Sequence, residues 1–98
     1  MIKDKYQRQI SSFLRKRFSP DEVKALVFGS SLRKDTFHDI DIGLVGMKGN
    51  IDPLKLSYLR EDFEESLIPY TVDVVDMNKA DALFKDKVMK GTVLWLEY

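Results

Sequence analysis

Two aspartates separated by a single isoleucine are the residues of this sequence best suited to chemistry. Asp39 and Asp41 alternate with Ile40 and Ile42 in a segment that reads as a β-strand. Successive side chains of a strand point to opposite faces, so both carboxylates would share one face, about 6–7 Å apart, with the isoleucines in the core. Carboxylates this close repel each other unless a cation lies between them. We therefore expect them to bind Mg²⁺ or Mn²⁺, which prefer hard oxygen ligands.

A third carboxylate fits the same arrangement. Asp73 lies between Val72 and Val74 in an otherwise apolar, strand-like segment, where a charged residue calls for an explanation. If the strands that carry Asp41 and Asp73 are neighbours, three carboxylates share one face of the sheet. Such a group can hold two metal ions about 3.5–4 Å apart, which serves in-line displacement at phosphorus. We accordingly predict Asp39, Asp41 and Asp73 as metal ligands and catalytic residues.

A glycine–serine turn at the end of an earlier predicted strand has the features of a phosphate site. Gly29 lets the backbone approach a ligand closely. The N–H groups of a short helical turn starting at Ser30 or Ser31 would favour an anion, and the Ser30 hydroxyl adds a hydrogen bond. Arg33 follows one turn later with a guanidinium that suits phosphate. We predict that these four residues bind the phosphates of a nucleotide whose metal ions lie on the aspartates.

Each of these features has an ordinary structural interpretation when it is taken alone. A glycine–serine pair is most often only a turn, Asp39 could cap a turn, and Asp73 could be an exposed strand residue. Their joint occurrence in this order, on these predicted elements, favours the functional interpretation.

Strands and helices are predicted to alternate along the chain, and these elements must position the candidate site. Short apolar or β-prone runs predict four strands, at residues 23–28, 40–45, 70–75 and 92–96. This alternation with helices indicates an α/β domain in two layers, with the helices packed on one face of the sheet. No repeat, low-complexity segment or linker interrupts residues 1–98, which we interpret as a single domain.

Three helices are predicted between these strands. Apolar residues spaced three and four apart predict a helix over 2–18, which ends before Pro20. Asp52 is predicted to cap a second helix, with a buried stripe of Leu56, Leu59, Phe63 and Leu67. Asn78 is predicted to cap a third, with apolar contacts from Leu83, Phe84, Val88 and Met89 and a stop at Gly91.

Composition excludes several classes of protein. The 98 residues include 16 basic and 16 acidic side chains, so the chain lacks the overall positive charge of a strongly basic nucleic-acid binder. There is no cysteine and only one histidine, which excludes disulfides, thiol nucleophiles and multi-histidine metal sites. No apolar run approaches the ~18 residues of a membrane span, and the N-terminus has no signal-peptide core. We expect a cytoplasmic protein without a membrane partner.

The combined motif resembles that of the nucleotidyltransferase superfamily typified by DNA polymerase beta. It is most similar to the smallest members, the minimal nucleotidyltransferases paired with HEPN-domain proteins. The family pattern is a hydrophobic residue with Gly-Ser, a spacer, Asp-hydrophobic-Asp-hydrophobic, and a third acid on a later strand. Here it reads Phe28-Gly29-Ser30, then Asp39-Ile40-Asp41-Ile42, then Asp73, and the segment 88–95 is similar to the ending usual in these small proteins.

The resemblance implies a nucleotidyltransferase palm, in which a mixed sheet carries helices on one face. It also implies transfer of a nucleoside monophosphate from a nucleoside triphosphate, with ATP as the donor and Mg²⁺ or Mn²⁺ as the metal. By resemblance, Asp39 and Asp41 bind the metals and the triphosphate. Asp73 completes one metal site and helps to activate the acceptor hydroxyl, while Gly29 and Ser30 hold the phosphates.

The resemblance further implies that the acceptor is a tyrosine hydroxyl of a HEPN-type toxin, so that the protein acts as an antitoxin. Larger members of the superfamily have an extra domain for the acceptor, and 98 residues leave no room for one. We therefore expect the acceptor to lie on another chain, in a hetero-oligomer or in a second copy. The alternative is a non-catalytic module that keeps nucleotide binding and neutralises its partner by masking it.

Overall fold

The computed structural model describes residues 2–98, which form three α-helices, four strands and one short 3-10 turn. The elements follow in the order α1 (Asp4–Arg17), β1 (Val23–Phe28), the 3-10 turn (Ser30–Leu32), β2 (Asp39–Gly46), α2 (Pro53–Glu64), β3 (Thr71–Asp76), α3 (Ala82–Lys90) and β4 (Leu94–Leu96). This order matches the alternation predicted from the sequence. No helix among these residues is long and apolar enough to cross a lipid bilayer.

The four strands form one mixed sheet in the order β3-β2-β1-β4. β1 runs antiparallel to both β2 and β4, whereas β2 and β3 are parallel. Parallel neighbours cannot be joined by a tight turn, and α2 supplies the crossover between them. Asp52 starts that helix as predicted, because its side chain accepts a hydrogen bond from the Leu54 N–H at 2.9 Å.

The main core lies between one face of the sheet and helices α1 and α2. The strands contribute the fully buried side chains of Ile40, Ile42 and Leu44, which alternate along β2. Ile10 and Leu14 of α1 are equally buried against this face. An ion pair joins the two helices, in which Arg17 donates to both carboxylate oxygens of Asp62 at 2.7 and 2.8 Å. This packing fixes which face of β2 is left for Asp39 and Asp41.

Helix α3 contributes to a second, smaller core on the opposite face of the sheet. Its Val88 packs with Leu26 and Met77 in a cluster separate from the main core. Leu26 faces this side because side chains alternate along β1, where Ala25 and Val27 belong to the main core. The predicted α/β class and mixed sheet are confirmed, and the predicted packing on one face holds for α1 and α2.

Two predicted details of the helices are wrong. Leu67 is 99% exposed because α2 ends at Glu64, so Leu67 is not on the buried stripe of that helix. Leu83 is 85% exposed, and the buried residue of α3 is Val88.

The cap of α3 also differs from the prediction. Asp81 caps it, accepting a hydrogen bond from the Phe84 N–H at 2.8 Å. The Asn78 side chain instead accepts from the Gly46 N–H at 3.0 Å and donates to the Gly49 carbonyl at 2.9 Å. Asn78 therefore fixes the end of β2 rather than the start of a helix.

Candidate active site

The predicted carboxylates lie on one face of two neighbouring strands. Asp41 of β2 is the direct partner of Asp73 of β3 in the parallel register, and Asp39 precedes Asp41 by two residues on the same strand. Paired residues on adjacent strands point to the same face and are about 4.8 Å apart along the hydrogen-bond direction. The prediction for Asp73 required β2 and β3 to be neighbours, and they are.

Helix α2 also helps to fix the strand that carries Asp73. Arg60 donates a hydrogen bond from its guanidinium to the carbonyl oxygen of Val74 at 2.8 Å. Because β3 is the edge strand next to β2 in the sheet formed by residues 2–98, this contact ties its free side to the helix. The position of Asp73 thus depends on both the sheet register and the α2–β3 contact.

Electrostatics distinguishes Asp41 from its neighbours. Burial raises the pKa of the Asp41 carboxyl, and the nearby carboxylates of Asp73 and Asp39 raise it further. Asp39 and Asp73 are exposed, whereas Asp41 is half-buried. A bound cation would relieve the repulsion that the Asp41 carboxylate experiences from its two neighbours.

The three aspartates supply the oxygen ligands that a divalent metal prefers. They do not form a complete coordination shell by themselves. Among residues 2–98, no set of three or more His, Cys, Asp or Glu side chains is placed closely enough to hold a metal ion. Mg²⁺ usually takes one or two carboxylates together with water and substrate phosphates, and a full protein shell is not needed. The residues therefore fit a metal that arrives with, or is completed by, a phosphate ligand.

Gly29 makes the closest backbone approach to this acidic site. Its φ of +83° lies in a region that side chains other than glycine rarely adopt. A β-carbon built on Gly29 would be 2.5 Å from Oδ2 of Asp41, which is too close for any real contact. The predicted turn and the predicted acid are thus in direct contact, and only glycine permits it.

The turn after Gly29 places its two serines differently. Ser30 is half-buried, and its carbonyl accepts hydrogen bonds from the N–H groups of Arg33 at 3.1 Å and Lys34 at 2.9 Å. The Ser31 side chain is fully buried, and its hydroxyl has no hydrogen-bond partner within residues 2–98. The structure therefore leaves Ser30 able to reach a ligand, whereas the Ser31 side chain is not at the surface.

A small cavity adjoins the turn on the side of α3. It has a volume of about 280 Å³, and its walls include Gly29 and Arg33 from the turn, and Phe84 and Lys87 from α3. Of these residues, Arg33 is predicted from the sequence to bind phosphate, Phe84 is predicted only to make apolar contacts, and Lys87 is not among the predicted site residues. No local sequence signal separates Lys87 from the other lysines of α3.

The chain matches the family model described as polymerase beta, nucleotidyltransferase, over residues 8–97. That range includes all the predicted site residues. No curated protein is similar enough in sequence to count as a match.

Several solved structures share the fold. A chain of the toxin–antitoxin pair MntA–HepT has a TM-score of 0.70 at 21% identity, with 97% of this chain and 72% of that chain covered. A toxin–antitoxin structure with AMP-PNP has a TM-score of 0.70 at 21% identity, with 93% and 72% covered. A complex of the tri-AMPylated Shewanella oneidensis HEPN toxin with the MNT antitoxin has a TM-score of 0.68 at 23% identity, with 93% and 68% covered.

Proposed function

Because this chain belongs to the polymerase beta nucleotidyltransferase family, we propose that it transfers AMP from ATP to a hydroxyl group of a partner protein. The observation that carries the proposal is the pairing of Asp41 with Asp73 across β2 and β3, beside the Gly29 turn. This arrangement brings acidic residues and the glycine–serine turn to the same place on the sheet. It offers metal-bound phosphates one wall of carboxylates and one wall of backbone.

In the proposed reaction, the acceptor oxygen attacks the α-phosphorus of ATP. A bond forms between that oxygen and phosphorus, and the bond from phosphorus to the leaving pyrophosphate breaks. Asp39 and Asp41 would hold Mg²⁺ or Mn²⁺, which would neutralise charge on the phosphates when bound. Asp73, exposed on the edge strand, takes the proton of the acceptor hydroxyl. Gly29 and Ser30 orient the phosphates against this wall.

The proposed acceptor is a tyrosine of a HEPN-type toxin, and the proposed role is that of an antitoxin. Support comes from the similar folds of the MntA–HepT pair and of the complex that contains a tri-AMPylated HEPN toxin. It also comes from the exposure of Asp73, which leaves the acceptor side of the site open to another chain. A cytoplasmic location, expected from the sequence, remains part of this proposal.

The test is transfer of label from α-labelled ATP to the HEPN partner, with Mg²⁺ present. We expect labelled partner with the wild-type chain, and a loss of about 100-fold or more with Asp41→Asn, since that change removes a ligand charge and keeps the side-chain shape. Asp21→Asn is the matched control, because Asp21 is an exposed aspartate before β1, at the opposite end of that strand from Gly29.

A second assay, neutralisation of the partner, distinguishes enzymatic AMP transfer from non-catalytic masking of the partner. An enzyme loses neutralisation together with transfer when Asp39 and Asp41 are both changed to Asn. A masking protein keeps neutralising after the same change, and that outcome would replace the proposed function with the non-catalytic alternative.

A further inference from the structure

The cavity between the Gly29 turn and α3 contains two positive charges from different elements. Arg33 extends from the turn and Lys87 from α3, and both line the cavity wall. Lys87 has no acidic residue three or four positions away along its helix, the spacing that would allow a helical ion pair. The neighbouring acid of α3, Asp86, is already paired with Lys90 at 2.9 Å.

Neither Arg33 nor Lys87 is ion-paired to another of residues 2–98. The ion pairs among residues 2–98 join Arg17 to Asp62, Lys55 to Glu22, and Lys90 to Asp86. Two like charges that face one cavity repel each other and raise the local positive potential, which favours an anionic ligand. The cavity adjoins Gly29, so that anion would lie next to the acidic site.

An aromatic wall completes the cavity. The ring of Phe84 lies edge-on to Phe28, with centroids 6.0 Å apart, and Phe84 is still 37% exposed. An aromatic residue left partly exposed beside two cations combines a surface on which a base can stack with groups that bind phosphate. Val88 is the residue of α3 that is buried in the small core, whereas Phe84 contacts Phe28 by its ring edge and keeps part of the ring exposed to the cavity.

We propose that α3 forms the second wall of the nucleotide site, with Lys87 contacting the phosphates and Phe84 stacking on the base. The inference rests on the proposed function only in taking a nucleoside triphosphate as the ligand. A cavity of about 280 Å³ is at the lower limit of small-molecule pockets, which are about 300–1,000 Å³. Part of the nucleotide therefore lies inside it, and the rest extends over Gly29 towards Asp41.

The role of Lys87 is tested by calorimetric binding of two ligands, ATP with Mg²⁺ and inorganic tripolyphosphate, to the full chain without any partner. Lys87→Met is expected to weaken both ligands by about tenfold, since both carry the phosphates that Lys87 contacts. Lys87→Arg keeps the charge and should retain most of the affinity. Lys85→Met is the matched control, because it removes a lysine of α3 that does not line the cavity, and it should change neither affinity.

The role of Phe84 is tested with the same two ligands. Phe84→Leu keeps an apolar side chain against Phe28 but removes the ring, so it should weaken ATP by about tenfold and leave tripolyphosphate unchanged. Leu83→Ala is the matched control, since Leu83 is exposed and outside the cavity wall. Thermal unfolding of each variant confirms that it is folded before binding is measured.

Defined outcomes overturn this inference without affecting the proposed function. Affinities for both ligands within twofold of wild type in Lys87→Met would show that Lys87 does not contact phosphate. Equal weakening of ATP and tripolyphosphate in Phe84→Leu, or of neither, would exclude the base contact. By contrast, a wild-type chain that binds neither ligand contradicts both this inference and the proposed function. Because binding is measured without an acceptor, a failure of AMP transfer alone leaves this inference standing.

Discussion

The α-carbon of Gly29 is so close to the carboxylate of Asp41 that a β-carbon on residue 29 would be 2.5 Å from Oδ2. This close approach joins the end of β1 to the middle of the acidic face. It links the two halves of the motif in space, although ten residues separate Ser30 from Asp41 in the chain. The candidate site therefore depends on this contact and on the pairing of Asp41 with Asp73.

Gly29→Ala is predicted to reduce both AMP transfer and stability. The positive φ is nearly specific to glycine and costs other residues about 1–3 kcal/mol, and the added carbon must displace the Asp41 carboxylate. Urea unfolding and transfer to the partner are the two measurements.

Gly49→Ala is the control for this prediction. Gly49 also has a positive φ, of +116°, but nothing lies within 4 Å of the added carbon. It should lose stability and keep transfer. Equal loss of transfer in both variants would show that backbone strain, and not the contact with Asp41, explains the effect.

Asp41→Asn is predicted to stabilise the fold at neutral pH in the absence of metal. The pKa of the Asp41 carboxyl is raised above its ordinary value of 3.8, so the folded state binds this proton more tightly than the unfolded chain. The charged form therefore costs folding free energy above the folded pKa, and the cost disappears as pH falls below 3.8. The gain should stay below about 1 kcal/mol, because the group is partly exposed and solvent screens it.

Urea unfolding of the wild type and of Asp41→Asn at pH 7 and pH 3.5 checks this sign. The variant should be the more stable protein at pH 7, and the difference should shrink at pH 3.5. A variant that is less stable than the wild type at pH 7 would contradict the assignment of mutual repulsion at this site.

Removal of the divalent metal is predicted to weaken nucleotide-dependent stabilisation. With ATP present, the melting temperature of the wild type should be higher in Mg²⁺ than in EDTA, since a ligand bound only by the folded state raises its stability. The difference should vanish in the Asp39→Asn, Asp41→Asn double variant. An equal shift in EDTA would mean that phosphate binds without help from the carboxylates.

Ile42→Val is predicted to lower stability by about 1 kcal/mol while leaving transfer unchanged. Ile42 is fully buried on the face of β2 that α1 and α2 cover, opposite the face of Asp41. Loss of one buried methylene from a packed core costs about 0.5–1.5 kcal/mol. Chemical denaturation measures the cost, and a parallel loss of transfer would show that the two faces of the strand are not independent.

Much of the candidate site could be predicted from local pattern. The alternation of Asp39 and Asp41 with buried isoleucines indicates the faces of β2, and the predicted bounds of β1, 23–28, agree with the structure. The pairing of Asp41 with Asp73 needed the additional condition that β2 and β3 be neighbours. The structure meets that condition: β2 and β3 are parallel neighbours, and α2 is the crossover connection that such a pair requires.

Other features depend on tertiary context that no local pattern contains. Leu67 looks like the next residue of a buried stripe, but α2 ends at Glu64. Asn78 looks like a helix cap, but its amide is used to hold the end of β2. Lys87 resembles the other lysines of α3, and only the placement of that helix beside Gly29 brings it to a cavity.

The central claim is that carboxylates on β2 and β3 act together. It is tested most directly by measuring AMP transfer to the HEPN partner by the Asp73→Asn variant, because Asp73 joins the site only through the pairing of these two strands. The assay uses α-labelled ATP with Mg²⁺, and Asp21→Asn serves as the control. We predict that Asp73→Asn loses transfer by about 100-fold or more while it still binds ATP. Transfer within twofold of the wild type would contradict the claim that carboxylates on β2 and β3 act together.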